Sequence, residues 1–385
     1  MLTRITAQGF KSLMDIKNLA LGRVTVFIGA NGSGKTNLLE AIGLLGAAMS
    51  GYVDDQALLR RGIRPPTAKL FTSSFGKESV TPAVIARVVW CQEDRVIEWQ
   101  VRFPPRPEPD QQNRPFEGTI KFNDKELEWP LRSRFNHHIQ STEPEEDLQR
   151  VLADYAIFAP NTQVLRGTLT DITQREPVGL AGGQLAEAVA ELLDATQGKF
   201  GTLHLDDLLQ LLDWVDEIAV VPPSREIVSP TVPTTRNIIR FTDRWMAQGR
   251  NHLSAYDASE GALYVLFALV LALHPQSPRL FAIENLDQAM HPRLARATMR
   301  LFCQQMLQTA PPRQALLTTH NPLVLDGLDL SDDRIRLFTV ERDRQGATRV
   351  DRVEVSEEIV QAIQEGLSLS DLWVMGRLGG VPDIF

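Results

Sequence analysis

The stretch FIGANGSGKTNLLEAIGLLG, Phe27 to Gly46, places three glycines and a lysine between an apolar strand and an apolar helix. Its centre, Gly29 to Thr36, has the spacing G-x-x-x-x-G-K-T. A strand that turns into a helix through glycines leaves several backbone N–H groups pointing inward, at the positive end of the helix dipole. The spacing therefore predicts a loop that binds phosphate groups.

The residue types in this loop can each be explained by the chemistry of phosphate binding. Gly32 and Gly34 permit a tight backbone that larger residues would block. Lys35 reaches the β- and γ-phosphates of a nucleoside triphosphate, and the Thr36 hydroxyl is a ligand for Mg²⁺. A chance match in a glycine turn is the alternative, which the order of strand, loop and helix opposes. The residues expected to bind ATP are Asn31, Gly32, Ser33, Gly34, Lys35, Thr36 and Asn37.

The composition is that of a globular protein. The chain has 385 residues, 43% hydrophobic and 23% charged, which suffices for one large α/β domain with insertions. The net charge of −8 argues against a uniformly basic nucleic-acid-binding protein but leaves room for a local basic patch. Cys91 and Cys303 are the only cysteines, which argues against a disulfide framework or a zinc ribbon and predicts a cytoplasmic location.

A membrane location is not expected. The first 18 residues carry charges throughout and lack the apolar region of a secretory signal. The longest apolar run, Ala262 to Leu273, is shorter than the roughly 20 residues of a spanning helix. We expect this run to be a buried helix of a soluble protein.

The first half of the chain is predicted to be rich in strands. Strands are expected within residues 1–28, and residues 80–103 alternate and contain many valines and isoleucines. The proline-rich residues 104–115 predict a long exposed loop between antiparallel strands. Residues 142–147 (TEPEED) are expected to form a solvated turn before a short strand at 155–160.

The last third alternates between helix and strand, a rhythm that favours a mainly parallel sheet. The elements predicted there are helices at 259–273 and 292–308, strands at 279–284 and 314–318, and a hairpin at 334–355. Before them, residues 182–196 and 203–215 have helical periodicity, and residues 220–237 are expected to form a loop.

An acidic motif follows one of these predicted strands. The segment RLFAIENLDQAMHP contains an apolar strand that ends in Glu284, followed by Asn285 and Asp287. The Glu284 carboxylate would hold the Mg²⁺ shell beside Thr36. A glutamate that merely faces solvent at the end of a strand is the alternative.

Two further segments can meet phosphate groups. Ser259, Glu260 and Gly261 open a strongly apolar helix; Ser259 is a favourable N-cap, and free N–H groups at this helix start could bind another phosphate. An ordinary capped core helix is the alternative. His320 follows a predicted strand at its carboxyl end, where it can sense or stabilise a γ-phosphate, unless it is only a polar loop residue.

Four segments together resemble the ABC-type ATPases of the SMC, RecF and OLD group. GANGSGKT, ASEG, LFAIENLDQAMHP and LLTTH are similar, in family order, to the Walker A, signature, Walker B plus D-loop, and switch-histidine segments. Residues 155–167 resemble the family's Q-loop segment, which makes Gln163 a candidate ligand of ATP and Mg²⁺. The tail at 367–380 looks like the endings of short RecF-like ATPases from bacterial anti-phage defence operons.

The resemblance implies a P-loop NTPase of ABC/RecF type, with a mixed sheet, an antiparallel β subdomain and a small helical insertion. We expect the ATPase domain at 1–355, its insertion at about 184–250 and a C-terminal tail at 356–385. The family's assembly implies a homodimer or higher homo-oligomer that sandwiches two ATP molecules. The phosphate loop of one copy would then face Ser259 and Gly261 of the other.

One departure from the family bears on catalysis. The family usually has Asp-Glu at the end of the Walker B strand, whereas this chain has Glu284-Asn285. Glu284 can still serve the metal, but Asn285 can only orient a water and cannot take its proton. A positioned general base contributes about 10²–10⁴-fold in rate, so we expect slow ATP hydrolysis and a long-lived ATP-bound dimer. Asp287 is the alternative base, which spacing alone does not decide.

The sequence leaves several functions open. The first is an ATPase subunit of a bacterial defence complex with a separate effector, because the chain has no room for an obvious nuclease or TOPRIM domain. The second is a RecF-like repair ATPase that binds DNA in an ATP-dependent way. The third is a near-inactive scaffold that ATP locks into an oligomer, and a membrane-transporter ATPase fits poorly.

Other residues that invite a functional interpretation are expected to be structural. His137 and His138 are adjacent but lack the spacing of a metal site, so a polar surface stretch is expected. The arginines that follow the first helix are predicted to lie in a solvated loop rather than on nucleic acid, and they are Arg60, Arg61 and Arg64. Trp245 and the stretch RFTDRW are expected in the core and in a strand rather than on a base-stacking surface.

Overall fold

The computed structural model describes residues 1–50, 53–65, 68–75, 83–92, 95–103, 118–122, 125–129, 143–233 and 236–380. Its strands are β1 (Leu2–Phe10), β2 (Leu13–Ala20), β3 (Val24–Ile28), β4 (Val84–Gln92), β5 (Arg95–Phe103), β6 (Gly118–Phe122), β7 (Lys125–Trp129), β8 (Ala156–Phe158), β9 (Leu193–Asp194), β10 (Lys199–Phe200), β11 (Leu203–His204), β12 (Val215–Val221), β13 (Ile238–Asp243), β14 (His252–Ser254), β15 (Leu280–Ile283), β16 (Gln314–Thr319), β17 (Ile335–Arg342) and β18 (Thr348–Val353). Its helices are α1 (Lys35–Met49), α2 (Asp55–Leu59), α3 (Ala68–Phe71), α4 (Glu143–Ala153), α5 (Thr162–Leu165), α6 (Leu185–Leu192), α7 (Leu205–Leu211), α8 (Glu260–Leu273), α9 (Pro292–Gln308), α10 (Glu357–Gln364) and α11 (Leu369–Val374), with a 3₁₀ helix at Pro322–Gly327.

The phosphate loop joins a mainly parallel sheet of strand order β18-β17-β3-β16-β15-β8. Its strands run parallel except β18, which pairs antiparallel with β17. The central strand β3 is buried at every position, as expected where helices or a second sheet cover both faces. Because parallel strands end at one edge, the segments after β3, β16, β15 and β8 meet there.

Side chains of β3 alternate between two hydrophobic cores. Val24, Val26 and Ile28 lie in the core that contains α8 and α9, whereas Phe27 lies in the core that contains α1. The second core lies under an antiparallel sheet of order β2-β1-β4-β5-β6-β7. Helix α1 is therefore enclosed between two sheets. This packing fixes the position of the phosphate loop, which lies directly before α1. The predicted fold class, a mixed sheet with an antiparallel β subdomain, is confirmed.

The predicted turn at 142–147 is wrong, because α4 begins at Glu143. Leu148, Val151 and Leu152 of this helix are buried, and Leu152 O packs closely on Gly46 of α1. Asp147 near its start pairs with Arg279. The acidic residues that suggested a solvated turn instead occupy the first turns of a helix, where negative charge complements the helix dipole.

The insertion between β8 and α8 is less helical than its periodicity suggests. Helix α6 ends at Leu192, after which Leu193 is extended and pairs with Phe200 of β10. Helix α7 ends at Leu211, and the chain enters β12, which pairs antiparallel with β13. The predicted helices are therefore confirmed only in their central turns, because residues at their predicted ends form short strands instead.

The prediction for Trp245 is wrong, because its side chain is 80% exposed. Asp243 ends β13, and its Oδ1 accepts hydrogen bonds from the backbone N–H groups of Trp245 and Met246, at 2.7 and 3.0 Å. This turn projects the indole outward. Residues 104–115, His137 and His138 lie outside the described residues, so the predictions made for them remain predictions.

The C-terminal segment packs against the parallel sheet's helical face. Ser370 donates to Asp326 from its N–H and its hydroxyl, at 2.9 and 2.7 Å, and Trp373 lies in the core with α8 and α9. The division of the chain at residue 355 stays a prediction. Across the described parts of the chain, we find no helix whose length and apolar character would let it cross a membrane.

Candidate nucleotide-binding site

The phosphate loop adopts the tight backbone predicted from its glycines. Gly32 and Gly34 have φ angles of +75° and +110°, in the left-handed region that favours glycine. A Cβ atom on Gly29 would lie 2.0 Å from the Val340 carbonyl oxygen, and one on Gly34 would lie 2.1 Å from Thr348 Oγ1. The β17–β18 hairpin thus lies so close to the loop that only glycine fits at these two positions.

The loop lines a cavity of about 330 Å³. The lining residues are Asn31, Gly32, Ser33, Gly34, Lys35, Thr36, Asn37, Arg64, Glu284, Asn285 and Arg342. Every residue that the sequence predicted to bind phosphate from the loop therefore lines one cavity, together with the end of β15. A cavity lined by glycine N–H groups, a lysine and a carboxylate has the chemistry of a site for a nucleotide with a metal ion.

Lys35 is held inside the loop. Its Nζ donates to the carbonyl oxygens of Gly29 and Ala30, at 2.7 and 2.9 Å, and the residue is 7% exposed. Burial lowers the pKa of Lys35 to about 8, while the carboxylates of Glu284 and Asp287 act in the opposite direction. The ammonium is thus positioned for a phosphate, but its charge is more easily lost than that of an ordinary lysine.

Thr36 and Glu284 come together as predicted for a metal site. The Thr36 hydroxyl donates to Glu284 Oε1. The backbone of Glu284 is fixed in turn, because its N–H donates to the Phe158 carbonyl oxygen at 2.8 Å. A hydroxyl and a carboxylate are hard oxygen donors, so these residues fit Mg²⁺, which usually takes few protein ligands and completes its shell with phosphates and water.

Asn285 lies next to the metal-ligand pair and lines the cavity. Its φ angle is +51°, a left-handed conformation in which asparagine is enriched. Its N–H donates to Thr318 Oγ1 at 3.1 Å, which ties it to the end of β16. Asn285 is therefore the residue beside Glu284 at the cavity wall, where the ATPases that the sequence resembles usually have a carboxylate.

Asp287 lies against the end of β16 and does not appear among the described residues that line the cavity. It is 4% exposed, and its Oδ1 has no hydrogen-bond partner within the described part of the chain. Burial raises the pKa of Asp287, while Thr319, Asn321 and the positive charge of His320 act in the opposite direction. His320 itself is exposed at the end of β16. The structure thus places both predicted residues near the carboxyl end of β16.

Gln163 is exposed on α5, which follows β8 at the same edge of the sheet. Its Oε1 accepts a hydrogen bond from Thr168 Oγ1 at 2.7 Å. Among the described residues that line the cavity, Gln163 does not appear. The structure therefore brings Gln163 to the correct edge but not into the cavity, and its role as an ATP and Mg²⁺ ligand stays a prediction.

The Ser259–Gly261 segment opens α8 outside the cavity. Ser259 is exposed, and its hydroxyl caps none of the N–H groups in the described chain, while its carbonyl oxygen accepts a hydrogen bond from the Ala262 N–H at 3.1 Å. Ser259 is thus the N-cap residue of α8, as predicted, although its side chain makes no capping hydrogen bond within the described chain. Glu260 lies 3.6 Å from Arg166, and a Cβ on Gly261 would lie 3.2 Å from the Ala289 carbonyl oxygen.

Two arginines at the cavity were not predicted to be there. Arg64 was expected in a solvated loop; its side chain is 69% exposed, yet it lines the cavity, with its Nε 3.2 Å from the buried Glu40 carboxylate. Arg342 was not singled out, and its Nε donates to the Gly32 carbonyl oxygen at 2.8 Å. Arg61 is buried and donates to the Ala153 carbonyl oxygen at 3.0 Å, so the prediction of a solvated loop is wrong for it.

A hydroxyl network also supports the loop from the hairpin side. Thr348 Oγ1 donates to the Ser33 carbonyl oxygen at 2.8 Å and lies 2.6 Å from Ser12 Oγ. Asn37 Nδ2 donates to Ser12 Oγ at 2.7 Å. Thr348 and Ser33 are 315 residues apart, so no local sequence signal predicts this contact.

The sheet order, the phosphate loop and the carboxylate beside Thr36 are those of a P-loop NTPase fold. A family model described as "AAA domain, putative AbiEii toxin, Type IV TA system" matches residues 24–82 and 238–326. These ranges contain the phosphate loop, Ser259, Glu284 and His320.

Two curated relatives match a short part of the chain. The DNA replication and repair proteins RecF of Clavibacter michiganensis subsp. michiganensis and Clavibacter sepedonicus are each 39% identical over 74 residues, which is 17% of this chain and 18% of the relative. The chain thus spans less than a fifth of the length of these relatives in the match.

Solved SMC heads share the fold over most of the chain. The SMC head domain from Thermotoga maritima is 16% identical, covers 92% of this chain and 99% of its own, and has a TM-score of 0.50. An Smc head bound to the C-terminal domain of ScpA, derived from Pyrococcus furiosus, is 12% identical, covers 94% and 98%, and has a TM-score of 0.54. The chain therefore has the fold of the SMC heads and a short segment similar to RecF.

Proposed function

We propose that the chain is a nucleotide-gated ATPase switch in which two copies clasp ATP and Mg²⁺ between them. The observation that carries the proposal is the contact between Thr36 and Glu284 in a cavity lined by the phosphate loop. When bound, Mg²⁺ would neutralise charge on the phosphates, held by these two residues. Lys35 and the loop N–H groups bind the β- and γ-phosphates.

The exposed start of α8 supports the dimer. Ser259 is exposed at the start of α8 and does not appear among the described residues that line the cavity of its own chain. A helix N-terminus favours anions, so the γ-phosphate held by a second copy is a fitting partner. Each copy would then contribute a phosphate loop to one ATP and an α8 start to the other.

We place this switch in a bacterial defence complex that contains a separate effector. The matched family is described by a putative toxin of a toxin–antitoxin system, which supports this setting. The amide of Asn285 at the cavity wall supports slow hydrolysis, as a switch that must stay ATP-bound requires. The effector would bind the ATP-bound dimer and be released or activated as the dimer changes state.

The experiment is size-exclusion chromatography with light scattering, in the presence and absence of Mg²⁺–ATP. We expect ATP to convert monomers to dimers, and Lys35→Ala to prevent both ATP binding and dimer formation. Unchanged ATP binding by Lys35→Ala would overturn the proposal. Capture of one effector by the ATP-bound form only, among proteins encoded beside it, would support the defence setting.

RecF likeness in the matched segment favours a second candidate, an ATPase that binds DNA during repair. It predicts DNA affinity that rises with ATP and falls with salt, because phosphate contacts release counterions. DNA binding measured by fluorescence anisotropy at two salt concentrations distinguishes the candidates. ATP-dependent, salt-sensitive binding supports the repair role, and its absence supports the defence role.

A further inference from the structure

The β17–β18 hairpin places Arg342 at the cavity, and the proposed function assigns this arginine no role in phosphate binding. Arg342 is the last residue of β17 and lines the cavity beside Gly32. Its Nε donates to the Gly32 carbonyl oxygen at 2.8 Å, and its Nη1 donates to the Gly346 carbonyl oxygen. These two hydrogen bonds fix the plane of the guanidinium in one orientation.

An aromatic ring supports the same guanidinium. Arg342 Cζ lies over the ring of Phe75, 4.9 Å from its centroid. Phe75 is half-buried and Arg342 is exposed. A guanidinium stacked on an aromatic ring through one face offers a flat, weakly hydrated cationic surface on the other.

The sheet order places this surface on the side of the loop away from the metal-ligand pair. Strand β17 flanks β3 on one side, whereas β16 and β15, which leads to Glu284, lie on the other. A triphosphate whose γ end lay at Thr36 and Glu284 and whose chain crossed the loop would leave it toward β17. Its nucleoside would then approach the Arg342 guanidinium.

We propose that Arg342, supported by Phe75, is the surface on which the nucleobase of ATP stacks. This inference rests on the proposed function, because it presupposes nucleotide binding at the phosphate loop. A stacking surface contacts the face of the base and not its edges, so it binds purine nucleotides without strong preference between ATP and GTP. Arg342 binds the base and leaves the phosphates to the loop.

The test compares two ligands that differ in the base. Isothermal titration calorimetry measures the affinity of Mg²⁺–ATP and of Mg²⁺–tripolyphosphate, which has three phosphates and no nucleoside. Arg342→Ala should weaken ATP binding roughly tenfold and leave tripolyphosphate binding unchanged. Arg342→Lys keeps the charge but not the flat surface, so it should weaken ATP to a similar degree. Arg344→Ala, at an exposed arginine in the same hairpin, is the matched control and should change neither affinity.

Each outcome decides the inference. If Arg342→Ala weakens both ligands equally, the arginine supports the loop through Gly32 and the inference is overturned. Unchanged ATP affinity in Arg342→Ala overturns it as well. If the unaltered chain binds neither ligand, the proposed function fails and this inference fails with it. ATP binding that requires Lys35 but not Arg342 leaves the proposed function intact and removes only the inference.

Discussion

The Thr36 hydroxyl donates a hydrogen bond to the Glu284 carboxylate across the carboxyl edge of the parallel sheet. The two residues are 248 positions apart, and β16 lies between the strands that precede them. The contact joins a hydroxyl and a carboxylate at the wall of one cavity. Because Mg²⁺ prefers such oxygens, the pair explains how one loop and one distant strand could share a metal ion.

Replacing Glu284 tests this pair. Glu284→Gln keeps an acceptor for the Thr36 hydroxyl but removes the negative charge that a metal needs. We expect Mg²⁺ to enhance ATP binding far less in this variant and hydrolysis to fall about a hundredfold, since metal stabilisation of the phosphates is lost. Titrations of ATP with and without Mg²⁺ measure the first effect. Glu357→Gln, on exposed α10, is the control, and equal Mg²⁺ dependence in both variants would contradict the metal assignment.

Local patterns predicted the parts of the fold that local physics determines. The continuous apolar runs of β15 and α8 and the G-x-x-x-x-G-K-T spacing each specify their own element, and the structure confirms them. The approach of Glu284 to Thr36, predicted from the acidic motif after an apolar strand, agrees with the rule that parallel strands end at one edge.

The parts that sequence missed depend on contacts between distant segments. Arg342 and Thr348 reach the phosphate loop from a hairpin more than 300 residues away, and nothing in their own neighbourhood marks them. The α4 prediction failed because its acidic start resembled a turn, while burial of Leu148 and Leu152 against α1 stabilises a helix. Ser259 occupies the predicted N-cap position of α8, but nothing in the sequence predicted that its side chain would make no capping hydrogen bond in the described chain.

Asn285 should limit the rate of hydrolysis. We expect turnover by the unaltered chain below about 1 s⁻¹, at the slow end of enzymes. Asn285→Glu supplies a general base and should raise kcat by about 10²-fold, although a bulky residue at a left-handed φ costs about 1–2 kcal/mol of stability. Steady-state phosphate release measures both values.

Asn285→Gln is the matched control for that experiment. It has the length of glutamate and the same backbone strain, but its amide accepts no proton. Asn285→Gln should therefore stay slow while Asn285→Glu becomes fast. Fast hydrolysis by the unaltered chain, or equal rates in the two variants, would show that another residue such as Asp287 serves as the base.

Ser259 should matter for dimer formation and not for ATP binding by one copy. Its side chain is exposed and caps nothing in the described chain, so Ser259→Arg should leave the fold stable. In a dimer that holds ATP between its two copies, the side chain introduced by Ser259→Arg would occupy the space in which Ser259 contacts the γ-phosphate. We expect dimer affinity to fall by about 30-fold or more, as at an interface hot spot, with ATP affinity of the monomer unchanged.

Gln276→Arg provides the comparison, because Gln276 is exposed just beyond the other end of α8. Light scattering at increasing protein concentration, with Mg²⁺–ATP present, gives the dimer affinity of each variant. If Gln276→Arg disrupts the dimer and Ser259→Arg does not, the two copies meet through a different face of α8.

Lys35 should make ATP binding depend on pH. Burial lowers its pKa to about 8 in the free chain, and bound phosphates would raise that pKa by stabilising the ammonium. Binding must therefore take up protons above about pH 8, so affinity is greatest below that pH and falls as pH rises, by at most tenfold per pH unit.

Calorimetry at pH values from about 7.5 to 9.5, in two buffers of different ionisation enthalpy, measures the affinity and the proton uptake. Lys35→Arg stays charged throughout this range and should bind ATP with little pH dependence. An affinity of the unaltered chain that is flat or rises over the same range would mean that Lys35 does not carry the charge that binds the phosphates.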